Sequence, residues 1–189
     1  MMEQSRTKKE IRREVLEKRN AMTKEERYRA SVMMTERLLG HQWFYLSDTI
    51  LGFAGYGSEI STDELIAEAL KLGKKAYLPK VCGEKMEFYR VHSLQDLTEG
   101  YKGIREPMGN TEKYVYDEAN ISKTLMLMPG VAFDDMRNRI GYGKGFYDRY
   151  LSDKPDLQLR TIAIGFKCQH VDEIPVCDND ITPYQVILL

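Results

Sequence analysis

The sequence feature that constrains the fold most is a glycine-rich loop between a buried strand and a helix. The apolar run Leu125–Met128 predicts the strand, and Phe146–Leu151 has helical character. Between them, glycines alternate with other residues at Gly141, Gly143 and Gly145. Glycines let backbone N–H groups approach a phosphate, and a helix N-terminus adds a positive partial charge. The order of strand, glycine loop and helix therefore predicts an anion-binding site.

The loop matches neither of the two common phosphate-binding motifs. It lacks the dinucleotide fingerprint, and Lys144 is followed by Gly145 rather than by the Ser or Thr of a Walker A loop. A flexible turn with a solvated lysine is the alternative interpretation. Three cations lie around the glycines. Arg139 precedes them, Lys144 stands among them, and Arg149 follows them. Asp148 could hold the magnesium ion that accompanies phosphates, so the charges favour an anion site.

Composition excludes several classes of protein. The 189 residues are enough for one domain spanning 1–189, and 42% of them are hydrophobic. With 28 Lys and Arg against 29 Asp and Glu, nothing favours a nucleic acid or an anionic membrane as partner. No apolar run reaches the roughly 18 residues of a membrane span. The N-terminal stretch has no apolar centre, so we expect no secretory signal.

The cysteines point to a reducing compartment. There are three, Cys82, Cys168 and Cys177, an odd number without a C-x-x-C pair. Cytoplasmic localisation is the simplest expectation. A zinc site at Cys168, His170 and Cys177 is disfavoured, because the spacing matches no standard pattern and a fourth ligand is missing.

The order of elements predicts an open α/β sheet. Capping boxes at Thr23–Glu26 and Ser61–Glu64 mark two helix starts, and the first of these helices should run to Leu39 with Tyr28 facing inward. A basic helix over residues 7–20 precedes them, with Lys8 and Arg12 on one face because they are four residues apart. The predicted strands are Thr49–Tyr56, Lys75–Pro79, Met86–Val91, Leu125–Met128, Arg160–Phe166 and Gln185–Leu189. Parallel strands joined by right-handed crossovers follow.

Polar residues cluster where these strands end. In open α/β sheets, ligands bind at the carboxyl ends of the strands. The residues placed there are Glu59, Lys80, Arg139, Lys144, Tyr147, Asp148, Gln169, His170 and Asp180. Cations, glycines and carboxylates together indicate a magnesium–nucleotide site and phosphoryl transfer. The polar stretch 108–120 is either a lid over this site or a mobile surface excursion.

Two segments closely resemble the signature of the 5-formyltetrahydrofolate cyclo-ligase family. They are Pro129–Asp134 and Arg139–Leu151, and the similarity extends over nearly the whole chain. The resemblance implies an ATP-dependent closure of 5-formyltetrahydrofolate to 5,10-methenyltetrahydrofolate, with ADP and phosphate released. It also implies a single-domain, open, mostly parallel sheet with helices on both faces, a three-layer sandwich like those of phosphosugar isomerases and CoA-transferases.

The resemblance also implies roles for individual residues. Magnesium would be held by Asp148 and Asp180, and catalysis would rest on Arg139, Lys144 and Tyr147. The ATP-binding residues would be Lys8, Arg12, Arg139, Ile140, Gly141, Tyr142, Gly143, Lys144, Gly145, Phe146 and Tyr147. The folate-binding residues would be Ala54, Glu59, Tyr142, Gly143, Lys144, Gly145 and Phe146. The expected partner is 5-formyltetrahydrofolate in mono- or polyglutamylated form, and the expected active form is a monomer.

The chain departs from the family pattern at two positions. Many members have glycine where this chain has Arg137, and tyrosine where it has Phe146. Two other functions stay open at this point. A non-catalytic folate-binding paralogue would keep Glu59 but lose Lys144 or Asp148, and this chain retains all three. A phosphosugar isomerase or CoA-transferase-like protein is suggested by sheet topology alone and would not need ATP together with magnesium.

Overall fold

A computed structural model describes residues 6–189. Its centre is a six-stranded sheet in the order β10-β9-β6-β1-β2-β3, in which only β3 runs antiparallel to its neighbour. The strands are β1 Thr49–Leu51, β2 Lys75–Cys82, β3 Lys85–Val91, β4 Leu97–Glu99, β5 Arg105–Pro107, β6 Thr124–Met128, β7 Ala132–Phe133, β8 Arg139–Ile140, β9 Thr161–Gly165 and β10 Gln185–Leu188. The α-helices are α1 Lys8–Ala21, α2 Lys24–Leu39, α3 Gln42–Leu46, α4 Asp63–Lys71, α5 Phe146–Leu151 and α6 Pro155–Gln158.

The sheet is covered on both faces, as the sequence predicts. Alternate strand residues such as Ile50 and Leu127 pack with α2 and α4, and their neighbours Leu51 and Met126 pack with α5 and α6. All five residues of β6 are buried, because this strand lies inside the sheet with a layer on each side. Helix α1 packs separately, with Ile11 and Val15 against the segment that follows β6.

Of the two predicted capping boxes, one is confirmed and one is wrong. The predicted capping box at Thr23 is confirmed, since its side chain accepts from Glu26 N and Glu26 reaches back to Thr23 N. The box predicted at Ser61 is wrong. Thr62 is the N-cap of α4 and makes no cap hydrogen bond; it is buried, so its hydroxyl donates instead to the carbonyl of Phe53. Tyr28, predicted to face inward, is 65% exposed.

Two strand predictions need correction. Strand β1 ends at Leu51 rather than Tyr56, and the chain then leaves the sheet toward the cavity described below. The hairpin of β4 and β5 was missed, because each strand has three residues and little apolar alternation. Residues 111–114 run beside β3, where Arg90 N donates to Glu112 O at 2.7 Å and Tyr114 N to Phe88 O at 2.8 Å.

Among residues 6–189, no helix combines the length and the apolar character that crossing a bilayer requires.

The central strand should carry much of the stability. Leu127 is fully buried between the two layers, so Leu127→Ala is expected to lower the free energy of unfolding by about 2–5 kcal/mol. Leu72→Ala, at a position that is 63% exposed, is the matched control and should change it by less than about 0.5 kcal/mol. Urea denaturation checks both, and equal effects would contradict the assignment of the core.

Candidate functional site

A cavity of about 560 Å³ lies at the carboxyl ends of β1, β2 and β6. Its wall contains Ala54, Glu59 and every residue of the loop from Arg139 to Asp148. Lys8 and Arg12 from α1 and Asp180 from the loop before β10 complete it. Thus all the residues predicted from the family resemblance to bind ATP, folate or magnesium border one cavity.

The glycine loop takes its shape from its glycines. Gly143 has φ +90° and Gly145 has φ +62°, in the left-handed region that favours glycine. Arg12 holds the loop, since its Nε donates to Gly141 O at 2.8 Å. A Cβ added at Gly143 would lie 3.4 Å from Arg12 Nη2, so the helix and the loop are in close contact. Helix α5 begins directly after the loop at Phe146.

Two ion pairs connect distant segments at the cavity. Lys8 Nζ pairs with Asp180 Oδ2, and Asp180 Oδ2 also accepts from Cys177 N at 2.7 Å. Arg139 Nη2 lies 3.0 Å from Asp148 Oδ1, and the Arg139 side chain is only 4% exposed. Two of the predicted cations, Lys8 and Arg139, are therefore the partners of the two predicted metal-binding carboxylates.

The carboxylates can still take part in a magnesium site. Among the described residues, no group of three or more His, Cys, Asp or Glu side chains could hold a metal by itself. Within residues 6–189 we find no hydrogen bond to Asp148 Oδ2 or Asp180 Oδ1, so one oxygen of each is available. Magnesium typically takes one or two carboxylates together with phosphate oxygens and water, and this donor set fits that pattern.

Glu59 lies in a polar corner of the cavity. Its Oε2 accepts from Tyr56 N at 2.8 Å, but burial raises the pKa of this carboxyl above its usual value, against the opposing effects of that N–H, Arg19 and Tyr142. Arg19 is 2% exposed and donates to Tyr142 Oη at 2.6 Å and to Ser58 Oγ at 3.0 Å. Arg19 could not be predicted as a site residue, because in the sequence it resembles the solvated cations beside it in the same basic helix.

Two tyrosines remain protonated hydroxyl donors at neutral pH. Burial, and then the nearby Glu59 carboxylate, raise the pKa of Tyr142 and of Tyr147 above the usual range. The Arg139 guanidinium lies 5.6 Å from the centre of the Tyr147 ring. Tyr147 therefore keeps its hydroxyl proton at neutral pH, so the hydroxyl can donate a hydrogen bond.

Three residues that the strand-end argument placed at the site are elsewhere. Lys80 donates to Pro107 O at 2.9 Å and holds β5. Gln169 is 1% exposed, and its side-chain amide bonds the carbonyls of Gly130 and Val131. His170 pairs with Asp135 at the surface, 2.9 Å away. The side chains at the strand ends point in several directions, so position along the chain alone does not select the cavity.

The lid hypothesis also needs correction. Residues 108–120 contribute nothing to the cavity wall, and 111–114 pack along β3. The segment from Tyr101 to Glu106 borders the cavity instead, through Tyr101, Lys102, Ile104 and Glu106. Gly100 before this segment and Gly103 within it mark a turn in the sequence, but they do not reveal where the turn packs.

Of the two departures from the family pattern, Phe146 lies in the cavity wall and Arg137 lies outside it. Arg137 has φ +67°, in the left-handed region, which gives a physical reason for a glycine at this turn in related proteins. Its side chain donates to the carbonyl of Tyr184. Arg137 thus adopts a backbone conformation that glycine would reach without strain.

Fold and cavity define an α/β protein whose ligand site combines a cationic glycine loop with an apolar pocket. The family profile described as 5-formyltetrahydrofolate cyclo-ligase family matches residues 4–188. A probable 5-formyltetrahydrofolate cyclo-ligase of Caenorhabditis elegans is 30% identical over 175 residues, covering 88% of this chain and 84% of that protein. The 5-formyltetrahydrofolate cyclo-ligase of Mus musculus is 28% identical, covering 95% and 92%.

A solved structure agrees with these sequence matches. The 5,10-methenyltetrahydrofolate synthetase of Aquifex aeolicus superposes with a TM-score of 0.77 at 33% identity, covering 93% of this chain and 86% of that one. The chain therefore belongs to the 5-formyltetrahydrofolate cyclo-ligase family. The predicted family, the open α/β fold and the classification as an enzyme are confirmed.

The raised pKa of Glu59 predicts a pH-dependent stability. Its folded pKa lies above the usual 4.5, so the folded protein holds this proton more tightly than the unfolded chain does. Ionised Glu59 therefore costs stability as pH rises above about 4.5 through the folded pKa. Glu59→Gln should remove that cost and become more stable relative to wild type across this range.

Urea denaturation of the ligand-free protein at several pH values measures the difference. Glu17→Gln, at an exposed position of α1, is the matched control and should follow wild type. A Glu59→Gln curve parallel to that of wild type would show that the carboxyl is not destabilised by burial.

Proposed function

We propose that this protein converts 5-formyltetrahydrofolate to 5,10-methenyltetrahydrofolate with consumption of ATP and magnesium. The observation that carries the proposal is the convergence of Lys8, Arg12, Arg139 and Lys144 on a glycine loop beside an apolar pocket. Phosphoryl transfer needs cations that absorb the charge of the phosphate oxygens. A pterin needs apolar walls, which Phe53 and other residues supply.

The chemistry follows from the poor leaving ability of a formyl oxygen. This oxygen attacks the γ-phosphorus of ATP, the bond to the β-phosphate oxygen breaks, and ADP leaves. N10 of the folate then attacks the activated formyl carbon, the ring closes, and the oxygen departs with the phosphate. N10 loses its proton, so the product carries the methenyl bridge. The protein's part is to hold the reacting groups in line and to stabilise charge on the transferred group.

Individual residues receive roles in this proposal. Lys144 stands on the exposed loop and forms no ion pair within residues 6–189, so its ammonium is free to meet a phosphate. Arg139 is held by Asp148 and would contact the same phosphates. Tyr147 would donate a hydrogen bond near the formyl group. When bound, magnesium would supply further positive charge, with Asp148 and Asp180 as its protein ligands.

The remaining details belong to the same proposal. The whole chain would act as one domain and as a monomer, on folate carrying one or more glutamates. A cytoplasmic location agrees with three free cysteines, of which Cys82 and Cys177 are exposed.

The decisive test is absorbance at the methenyl-folate band when the protein is mixed with 5-formyltetrahydrofolate, ATP and magnesium. We expect a rise that disappears when ATP is omitted and when a chelator removes magnesium. No rise from folded protein that binds ATP would reject the proposal in favour of a non-catalytic folate binder. A rise without ATP would exclude phosphoryl transfer.

Lys144→Ala should reduce kcat on the order of 10²- to 10³-fold, because it removes one group that stabilises charge in the transition state. Its thermal unfolding should match wild type, since the side chain is exposed and lies in a loop. Lys71→Ala, on the outer surface of α4, is the matched control and should keep full turnover. Wild-type turnover in Lys144→Ala would remove the lysine from the mechanism.

A further inference from the structure

The cavity contains a second carboxylate that the reaction described above does not use. Glu106 lies in β5, borders the cavity and is only 4% exposed. Its Oε1 accepts from Val81 N at 3.2 Å. Among residues 6–189, no lysine, arginine or histidine forms an ion pair with it, and we find no hydrogen bond to Oε2. Burying a carboxylate costs free energy unless hydrogen-bond donors surround it. Glu106 has one such donor, on Oε1, and Oε2 has room for others.

The surroundings of Glu106 differ from those of the glycine loop. Val81, whose N–H it binds, its strand partner Met86, and Ile104, two residues before it in the chain, also line the cavity, as do Phe53 and Pro79. A flat apolar ligand with polar atoms at one edge suits such a place. The polar edge must offer hydrogen-bond donors, because an ionised carboxylate only accepts.

The hairpin holds Glu106 in place from both sides. Lys80 Nζ donates to the carbonyl of the adjacent Pro107 at 2.9 Å. Arg105 Nη2 pairs with Asp63 of α4 at 2.8 Å. A Cβ added at Gly100 would overlap Glu106 Oε2, so the carboxylate packs directly against the glycine backbone. The carboxylate is thus positioned before any ligand arrives, which reduces the ordering cost of binding.

We propose that Glu106 binds the donor edge of the pterin ring, accepting hydrogen bonds from its 2-amino group and N3–H. This inference rests on the proposed function and identifies the residue that recognises the substrate's pyrimidine ring. Two adjacent N–H donors match the two oxygens of a carboxylate, and hydrogen bonds to an ionised acceptor are stronger than neutral ones. Glu59, beside Tyr142 and the glycine loop, is then available to the rest of the folate.

The same chemistry argues against the nucleotide base as the ligand of Glu106. Adenine presents its amino group beside a ring nitrogen that accepts, so one carboxylate oxygen would face an acceptor. The pterin edge has no such conflict. Glu106 therefore directs folate to the apolar end of the cavity and disfavours ATP in that orientation.

Calorimetry of Glu106→Gln tests the proposal. The amide keeps an acceptor for Val81 N but places an NH₂ group toward the ligand, so the affinity for 5-formyltetrahydrofolate should fall about 10- to 100-fold. The affinity for ATP with magnesium should stay unchanged. Glu99→Gln is the matched control, since Glu99 is exposed on the same hairpin and lies outside the cavity wall. Thermal unfolding reports whether the variants are folded.

A ligand change on the wild-type protein gives a second measurement that needs no variant. A 2-desamino-2-methyl analogue of 5-formyltetrahydrofolate lacks one donor and should bind wild type about tenfold or more weakly than the substrate does. In Glu106→Gln that discrimination should largely disappear. If Glu106 only supported the backbone of Val81, the ratio of the affinities for the substrate and the analogue would be the same in wild type and in Glu106→Gln.

The outcomes separate this inference from the proposed function. Wild type that binds and turns over folate, with equal affinity for both ligands or with undiminished affinity in Glu106→Gln, would overturn the role of Glu106 alone. Wild type that binds no folate would overturn both. Gly100→Ala should weaken folate binding as well, because its Cβ displaces an unaltered carboxylate.

Discussion

The structure of the site depends on the contact between the N-terminal helix and the glycine loop. Arg12 donates to the carbonyl of Gly141, and Lys8 on the same helix face pairs with Asp180, which lies 172 residues further along the chain. These contacts close one side of a cavity that the sheet alone would leave open. Helix α1 can do this because Ile11 and Val15, three and seven residues after Lys8, bury the adjoining side of the helix against the segment after β6.

The sequence could predict the parts of this arrangement that follow from local rules. Strand β6 is followed by the short β7–β8 hairpin, the glycine loop and α5, so the order of the chain places the loop at the carboxyl edge of the sheet. The four-residue spacing of Lys8 and Arg12 predicts a shared face, and both side chains do reach the cavity. The sheet order, with β1 between β6 and β2, depends on packing between distant segments and could be predicted only as a class of fold.

The failures share one physical cause. Glu59, Lys80 and Gln169 were all expected at the carboxyl ends of strands, yet only Glu59 borders the cavity, and Lys80 lies inside β2. Lys80 donates to the carbonyl of Pro107 and Gln169 to the carbonyl of Gly130 instead. Whether a polar side chain serves the ligand or the backbone depends on which buried groups need partners, and those groups lie far away in the sequence.

The paired charges explain how so many cations can share a small cavity. Lys8 and Arg139 would repel each other and a nearby Lys144 if all three were unpaired. Asp180 neutralises the first and Asp148 the second, so of these three cations only Lys144 has no carboxylate partner within residues 6–189. Each pair also fixes the direction of a long side chain before a ligand binds. The same carboxylates that would hold a metal in the proposed reaction therefore stabilise the cavity without it.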